Sequence, residues 1–125
     1  MKHEVVIYGS VPSKSNSYKI ITIGGHASLA KTSTMKEFEK NFYLQCGAYR
    51  NRNISGYFEL YIDVYFQSNE PDLDNSLKGL RDGLQGCKAI KNDRNCVKIV
   101  ANKFIDKQNP RIEFTLVEVN KEDVK

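Results

Sequence analysis

"YFELYIDVYFQSNEPDLDNSLKGLRDGLQG" (residues 57–86) changes its period halfway along. Over residues 57–67 the alternation is strict. Phe58, Leu60, Ile62, Val64 and Phe66 fall on one side, and Tyr57, Glu59, Tyr61, Asp63 and Tyr65 on the other, which is the two-residue period of a strand with one buried face. Past Pro71 the spacing turns helical. Leu73, Leu77, Leu80 and Leu84 follow steps of four, three and four, which at about 100° per residue confines them to one core-facing stripe. Asp74, Lys78 and Asp82 then run along an exposed side, and Gly86 is the expected stop.

Working outward, residues 96–105 and 111–119 form two further β-rich runs, the second alternating Ile112, Phe114 and Leu116. Toward the N-terminus a strand is predicted at 4–8, then a loop "GSVPSKSNS", then a strand at 18–23 closed by Gly24 and Gly25. Thr34 and Glu37 fit a capping box ahead of Met35, Phe38 and Phe42, predicting a helix to about Gly47. Strands outnumber helices, and short links join the long ones. The expected fold is therefore α+β, a small mainly antiparallel sheet with helices packed on one face. The tyrosine side of strand 57–67 is expected to be covered by a helix in preference to a partner subunit.

A chain of 125 residues, 40% hydrophobic and free of repeats or linkers, suits one domain with a modest core. No apolar run approaches the roughly 20 residues of a membrane span, and the opening "MKHEVVIYGSVPSK" is too short in apolar residues for a secretory signal. The expectation is a cytoplasmic protein without a membrane partner. Cys46, Cys87 and Cys96 are odd in number and lack a CxxC, while His3 and His26 stand far apart. Neither a disulfide framework nor a zinc site is indicated, and three reduced thiols packed as small apolar groups are expected.

The formal charge of +4 is unevenly spread. Nine basic residues (Lys78, Arg81, Lys88, Lys91, Arg94, Lys98, Lys103, Lys107 and Arg111) stand against Asp82, Asp93 and Asp106 in the same stretch. Such a field concentrates a polyanion like DNA, although a solvated lysine-rich surface has the same composition. At the helix start, Asp72 and Asp74 crowd like charges. Capping needs only one of them, and Asp74–Lys78 is also an ordinary i,i+4 pair. A hard divalent cation would remove the conflict, because it prefers oxygen ligands and is often held by one or two carboxylates plus a phosphate. Asp93, in "KNDRN", is the candidate third acid if its loop returns to the helix start.

The pattern D-x-D-N-x-x-K-x-x-x-D, here Asp72, Asp74, Asn75, Lys78 and Asp82, followed by Asp93 before a valine-rich strand, resembles the RusA family of Holliday-junction resolvases. The loop "VPSKSNSY" is similar to that family's Pro-Ser-rich N-terminal loop. Asn92 stands where members often carry another Asp, and "QSNE" where some are basic. The resemblance implies a single RusA-like endonuclease domain over residues 1–125. It also implies a homodimer that depends on Mg²⁺, with Mn²⁺ able to substitute, and that nicks four-way DNA junctions symmetrically, in a bacterial or phage-infected cell. Asp72, Asp74 and Asp93 map onto its catalytic metal ligands and Lys78 onto its essential basic partner.

Phosphodiester hydrolysis suits these residue types: carboxylates to hold one or two ions, and Lys78 to contact the scissile phosphate or orient water. Asp82 lies about 12 Å up the helix from Asp74, too far for direct ligation. A four-way junction has near two-fold symmetry, which a C₂ homodimer matches. Lys14, Asn16, Lys88, Lys91, Arg94 and Lys98 are the candidate DNA-backbone contacts. The alternatives are a non-catalytic DNA-binding module whose acids only cap a helix, and another acid-cluster phosphatase or nucleotide hydrolase. The latter lacks a phosphate-cradling glycine loop, since "GGH" at Gly24 is no P-loop. Ser-His-Asp or Cys-His hydrolysis lacks suitable histidines.

Overall fold

A computed structural model describes residues 3–12, 17–120 and 122, with the side chain of Asn75 excepted. Strand β1 (Val5–Tyr8) is followed by the hairpin β2 (Tyr18–Ile23) and β3 (His26–Lys31), then helix α1 (Ser33–Gln45). Strand β4 (Phe58–Phe66), helix α2 (Leu73–Gly86), β5 (Cys96–Ile105) and β6 (Arg111–Glu118) complete the order. Among the described residues, six strands in two sheets and the helices α1 and α2 make an α+β fold.

The four-stranded sheet has the order β1-β6-β4-β5. The pairs β1–β6 and β6–β4 are antiparallel, whereas β4 and β5 are parallel from Phe58↔Cys96 to Phe66↔Ile105. Short links do not join all the long strands: α2 is the crossover that a parallel pair requires. Its direction fixes the site. Residues that follow β4 lie at one end of the sheet, and residues that precede β5 lie at the other.

Alternation in β4 is realised as predicted. Phe58, Leu60, Ile62, Val64 and Phe66 are buried, packed in one core with Met35, Phe38 and Phe42 of α1 and Leu80 and Leu84 of α2. The tyrosine side departs from expectation, since among the described residues neither α1 nor α2 covers it. Tyr65 is stacked on Phe104 at 4.9 Å with the Arg111 guanidinium 3.7 Å from its ring centre, and Lys98 sits 5.7 Å from the ring of Tyr61. Long cationic stems shield these rings from the edges.

Two local expectations shift. The cap of α1 is Thr32, whose hydroxyl accepts from the Met35 amide at 3.2 Å, and Thr34 lies inside the helix. Strand β3, not foreseen, pairs with β2 across Gly24 and Gly25, whose φ of 56° and 83° suit a two-residue hairpin turn. All three cysteines are free. Burial pushes the Cys87 thiol up to about 12, with Cys46 beside it, so Cys87 is a packing group, not a nucleophile. No helix of the described residues is long and apolar enough to cross a membrane.

Helix α2 approaches α1 closely at Gly83, where a Cβ would meet the Phe42 ring at 2.8 Å. Phe42 stacks on Phe114 at 5.7 Å and cannot easily yield. Gly83→Ala gains about 1 kcal/mol of helix propensity but overpacks the core at a cost of about 1–3 kcal/mol. Thermal unfolding should therefore come at a lower temperature for Gly83→Ala. Gly79→Ala, whose Cβ would meet Val11 at an ordinary 3.4 Å, should be neutral or stabilising. An equal loss in both variants would refute the close-approach account.

Candidate functional site

Beyond β4 the chain turns through Gln67–Pro71 and enters α2. Lys103 of β5 clamps this turn, its ammonium donating to the carbonyls of Asn69 (2.9 Å) and Pro71 (2.6 Å). In the sequence Lys103 stands only as one of the nine basic residues from Lys78 to Arg111. Asp72 occupies the N-cap with extended backbone (φ −84°, ψ 138°), yet its side chain accepts no hydrogen bond from the first helical turn. Asp74 is the acid within that turn. Both are exposed. A carboxylate that stands at a cap without capping is not explained by helix initiation.

A cleft of about 240 Å³ opens beside Asp72, lined by Val11, Pro12, Phe66, Glu70, Pro71, Asp72 and Ser76. Val11 and Pro12 belong to the N-terminal loop singled out in the sequence. Its far end is also held against α2: the Tyr18 hydroxyl donates to Asp82 Oδ2 at 2.7 Å. Lys14 and Asn16, between these two anchors, lie outside the described residues.

Lys78 lies one turn past Asp74 but pairs the other way. Its ammonium reaches Asp82 Oδ2 at 3.3 Å and lies 5.2 Å from the centre of the Tyr18 ring. The pairing anticipated with Asp74 is absent because Tyr18, arriving from β2, draws Asp82 and Lys78 together. Partial burial alone would lower the Lys78 pKa, but the Asp82 charge and the Tyr18 hydroxyl outweigh it, and the net shift is upward. The ammonium is thus held protonated at the helix flank. Tyr18 itself is raised, first by burial and then by its bond to Asp82. Nothing in the sequence but its place at the end of "VPSKSNSY" hinted at Tyr18.

Asp93 is not brought back to the helix start. It opens a short 3-10 turn (Asp93–Asn95) capped by Asn92, whose side chain accepts from the Arg94 amide at 3.0 Å. That turn sits at the beginning of β4: Asn95 donates to the Ser55 carbonyl, and Ile90 pairs with Ile54. Lys103, which touches Pro71, is seven strand residues beyond Cys96, about 23 Å at roughly 3.3 Å per residue. Asp72 and Asp74 therefore share one end of the sheet, and Asp93 of the same chain occupies the other. Among the described residues no three His, Cys, Asp or Glu side chains group to hold a metal ion.

The candidate DNA contacts Lys88, Lys91, Arg94 and Lys98 are exposed and cluster around Asp93, in the α2–β5 connection and the first turn of β5. Lys88 adopts a positive φ of 61° and ends α2 one residue past the Cys87 cap, a role anticipated for Gly86. Arg111 is committed elsewhere, to Asp106 at 2.9 Å and Glu113 at 2.7 Å. The hydrogen bond from Arg111 holds the Asp106 carboxyl below its usual range.

A family model described as Endodeoxyribonuclease RusA matches residues 9–117. No curated protein matches the chain.

Proposed function

Given that the chain belongs to the RusA endodeoxyribonuclease family, we propose that it is a Mg²⁺-dependent Holliday-junction resolvase acting as a homodimer, nicking two opposed strands. The observation that carries this reading is the exposed pair Asp72 and Asp74 at the start of α2, with Asp72 lining a cleft and its carboxylate free of capping. The donor set fits a hard cation: carboxylate oxygens only, at a helix terminus. Asp72 and Asp74 would hold it. When bound there, Mg²⁺ supplies an activated water and neutralises charge developing on the phosphate oxygens.

The remaining work falls to side chains. Lys78, kept protonated by Asp82 and Tyr18, offers a positive charge one turn from Asp74 for the scissile phosphate. The Val11–Pro12 wall narrows access to the cleft. Lys88, Lys91, Arg94 and Lys98 hold backbone phosphates and give binding a salt dependence.

Asp93 enters this reading through the second subunit. Its own chain keeps it some 20 Å from Asp72, so a three-acid site is complete only where another copy's Asp93 meets Asp72 and Asp74. That requirement gives dimerisation a chemical role beyond matching the two-fold symmetry of the junction.

A synthetic four-way junction incubated with the protein, with and without Mg²⁺, tests the proposal. The expected result is symmetric paired nicks that require the ion. A junction shifted in a gel but left intact at saturating Mg²⁺ would instead support a non-catalytic binding module.

A further inference from the structure

Strands β2 and β3 form a ribbon that pairs within itself and stands apart from the four-stranded sheet. Its base is tied down twice: Lys31 pairs with Glu39 of α1 at 2.7 Å, and the Tyr18 hydroxyl donates to Asp82 of α2 at 2.7 Å. Beyond that base, Ile20 and Leu29 lie opposite each other across the two strands, and they are 77% and 72% exposed. Ile23 follows at 62%, and among the described residues no large apolar side chain is more exposed than these three. A lone exposed Leu is ordinary. A cross-strand apolar pair on a two-stranded ribbon, itself marginal in water, calls for an occupant.

Charge and position select the occupant. No Asp or Glu occurs between Glu4 and Glu37, a stretch that holds Lys14, Lys19, Lys31 and Lys36. With Lys31 neutralised by Glu39, the ribbon still presents Lys19 and no acid. A second copy of the ribbon would set like charges together, whereas a polyanion meets complementary charge. Strand alternation puts Ile20 on the face of Tyr18, whose ring centre lies 5.2 Å from the Lys78 ammonium. The apolar pair thus sits about 7 Å along the ribbon from the residue that flanks Lys78.

We propose that this ribbon recognises a DNA branch point, with Ile20 and Leu29 packed against base faces left unstacked where duplex arms part. The choice of DNA as occupant rests on the proposed function, whose preference for junctions the ribbon sets. Phosphates attract Lys19 on any duplex, but they offer Ile20 and Leu29 nothing. Base faces are covered inside a continuous stack, and only a branch, gap or kink opens one for apolar side chains to cover. The lysine therefore contributes affinity for all DNA, and the apolar pair contributes the preference for junctions. Lys78, at the base of the ribbon, then meets a phosphate close to the branch.

The test compares the full chain with a variant combining Ile20→Ser and Leu29→Ser, in chelator at fixed salt, so that no strand is cut. Both side chains are exposed, and circular dichroism and thermal unfolding should match those of the unaltered chain. A four-way junction carrying the fluorescent base aminopurine beside the branch point should brighten on binding the unaltered chain, as that base loses its stacking. With the double variant the brightening should vanish and junction affinity should fall about tenfold, while affinity for a linear duplex is unchanged. Lys19→Gln should instead weaken binding to both DNAs alike and flatten the salt dependence. Equal losses on junction and duplex in the double variant would make the ribbon a groove contact and overturn the proposal. A junction bound by the unaltered chain without brightening would also overturn it. So would a double variant whose mass by light scattering falls, since the apolar pair would then belong to a second copy. A junction bound and brightened but never nicked once Mg²⁺ is added would support the ribbon while contradicting the nuclease reading.

Discussion

Asp72→Asn and Asp74→Asn each lower junction cutting by about 10³-fold, the scale of removing a principal electrostatic stabiliser, while metal-free junction binding is kept or tightened. Both side chains are exposed, so the fold should lose no more than about 0.5 kcal/mol. Asparagine caps a helix as well as aspartate does, and a capping role for Asp72 therefore predicts no change in cutting at all. Removing a negative charge beside a phosphate path lowers repulsion, which is why affinity does not fall. The check is a paired measurement: cleavage rate with Mg²⁺, and a binding isotherm in chelator at fixed salt. Unaltered cleavage would return Asp72 to helix initiation, and weakened binding in both variants would count against placing the acids at the phosphate.

What could be seen in the sequence was what short-range periodicity encodes. The alternation of β4 and the leucine stripe of α2 are each written within a single element. Leu80 and Leu84 are fully buried and Leu73 and Leu77 partly so, as the stripe requires. The acids at the head of α2 were equally legible, because Pro71 and the first leucine locate the helix start.

Features that depend on where elements meet were not legible. Strand β3 is almost wholly exposed and so leaves no alternation; only the paired glycines mark its turn. Lys78 had acids four residues away on both sides, and a phenol arriving from β2 decides for Asp82. Among the described residues the tyrosine side stays uncovered because the topology places α1 and α2 over the other face. Asp93 lies away from the helix start for the same reason. A loop after a helix can return to the helix start only if the next strand runs back, whereas β5 runs parallel to β4 and the 14 residues of α2 carry the chain about 21 Å to the far end.

The measurement that bears most directly on the shared-site account is cutting by a mixed dimer, one chain carrying Asp72→Asn and the other Asp93→Asn, isolated through two different tags. In such a dimer one site loses both acids and the other keeps all three if the third is exchanged between chains. The account predicts that neither variant cuts as a homodimer and that the mixed dimer recovers Mg²⁺-dependent nicking of a single strand. A mixed dimer as inactive as its parents, or an Asp93→Asn homodimer that still cuts, would contradict it.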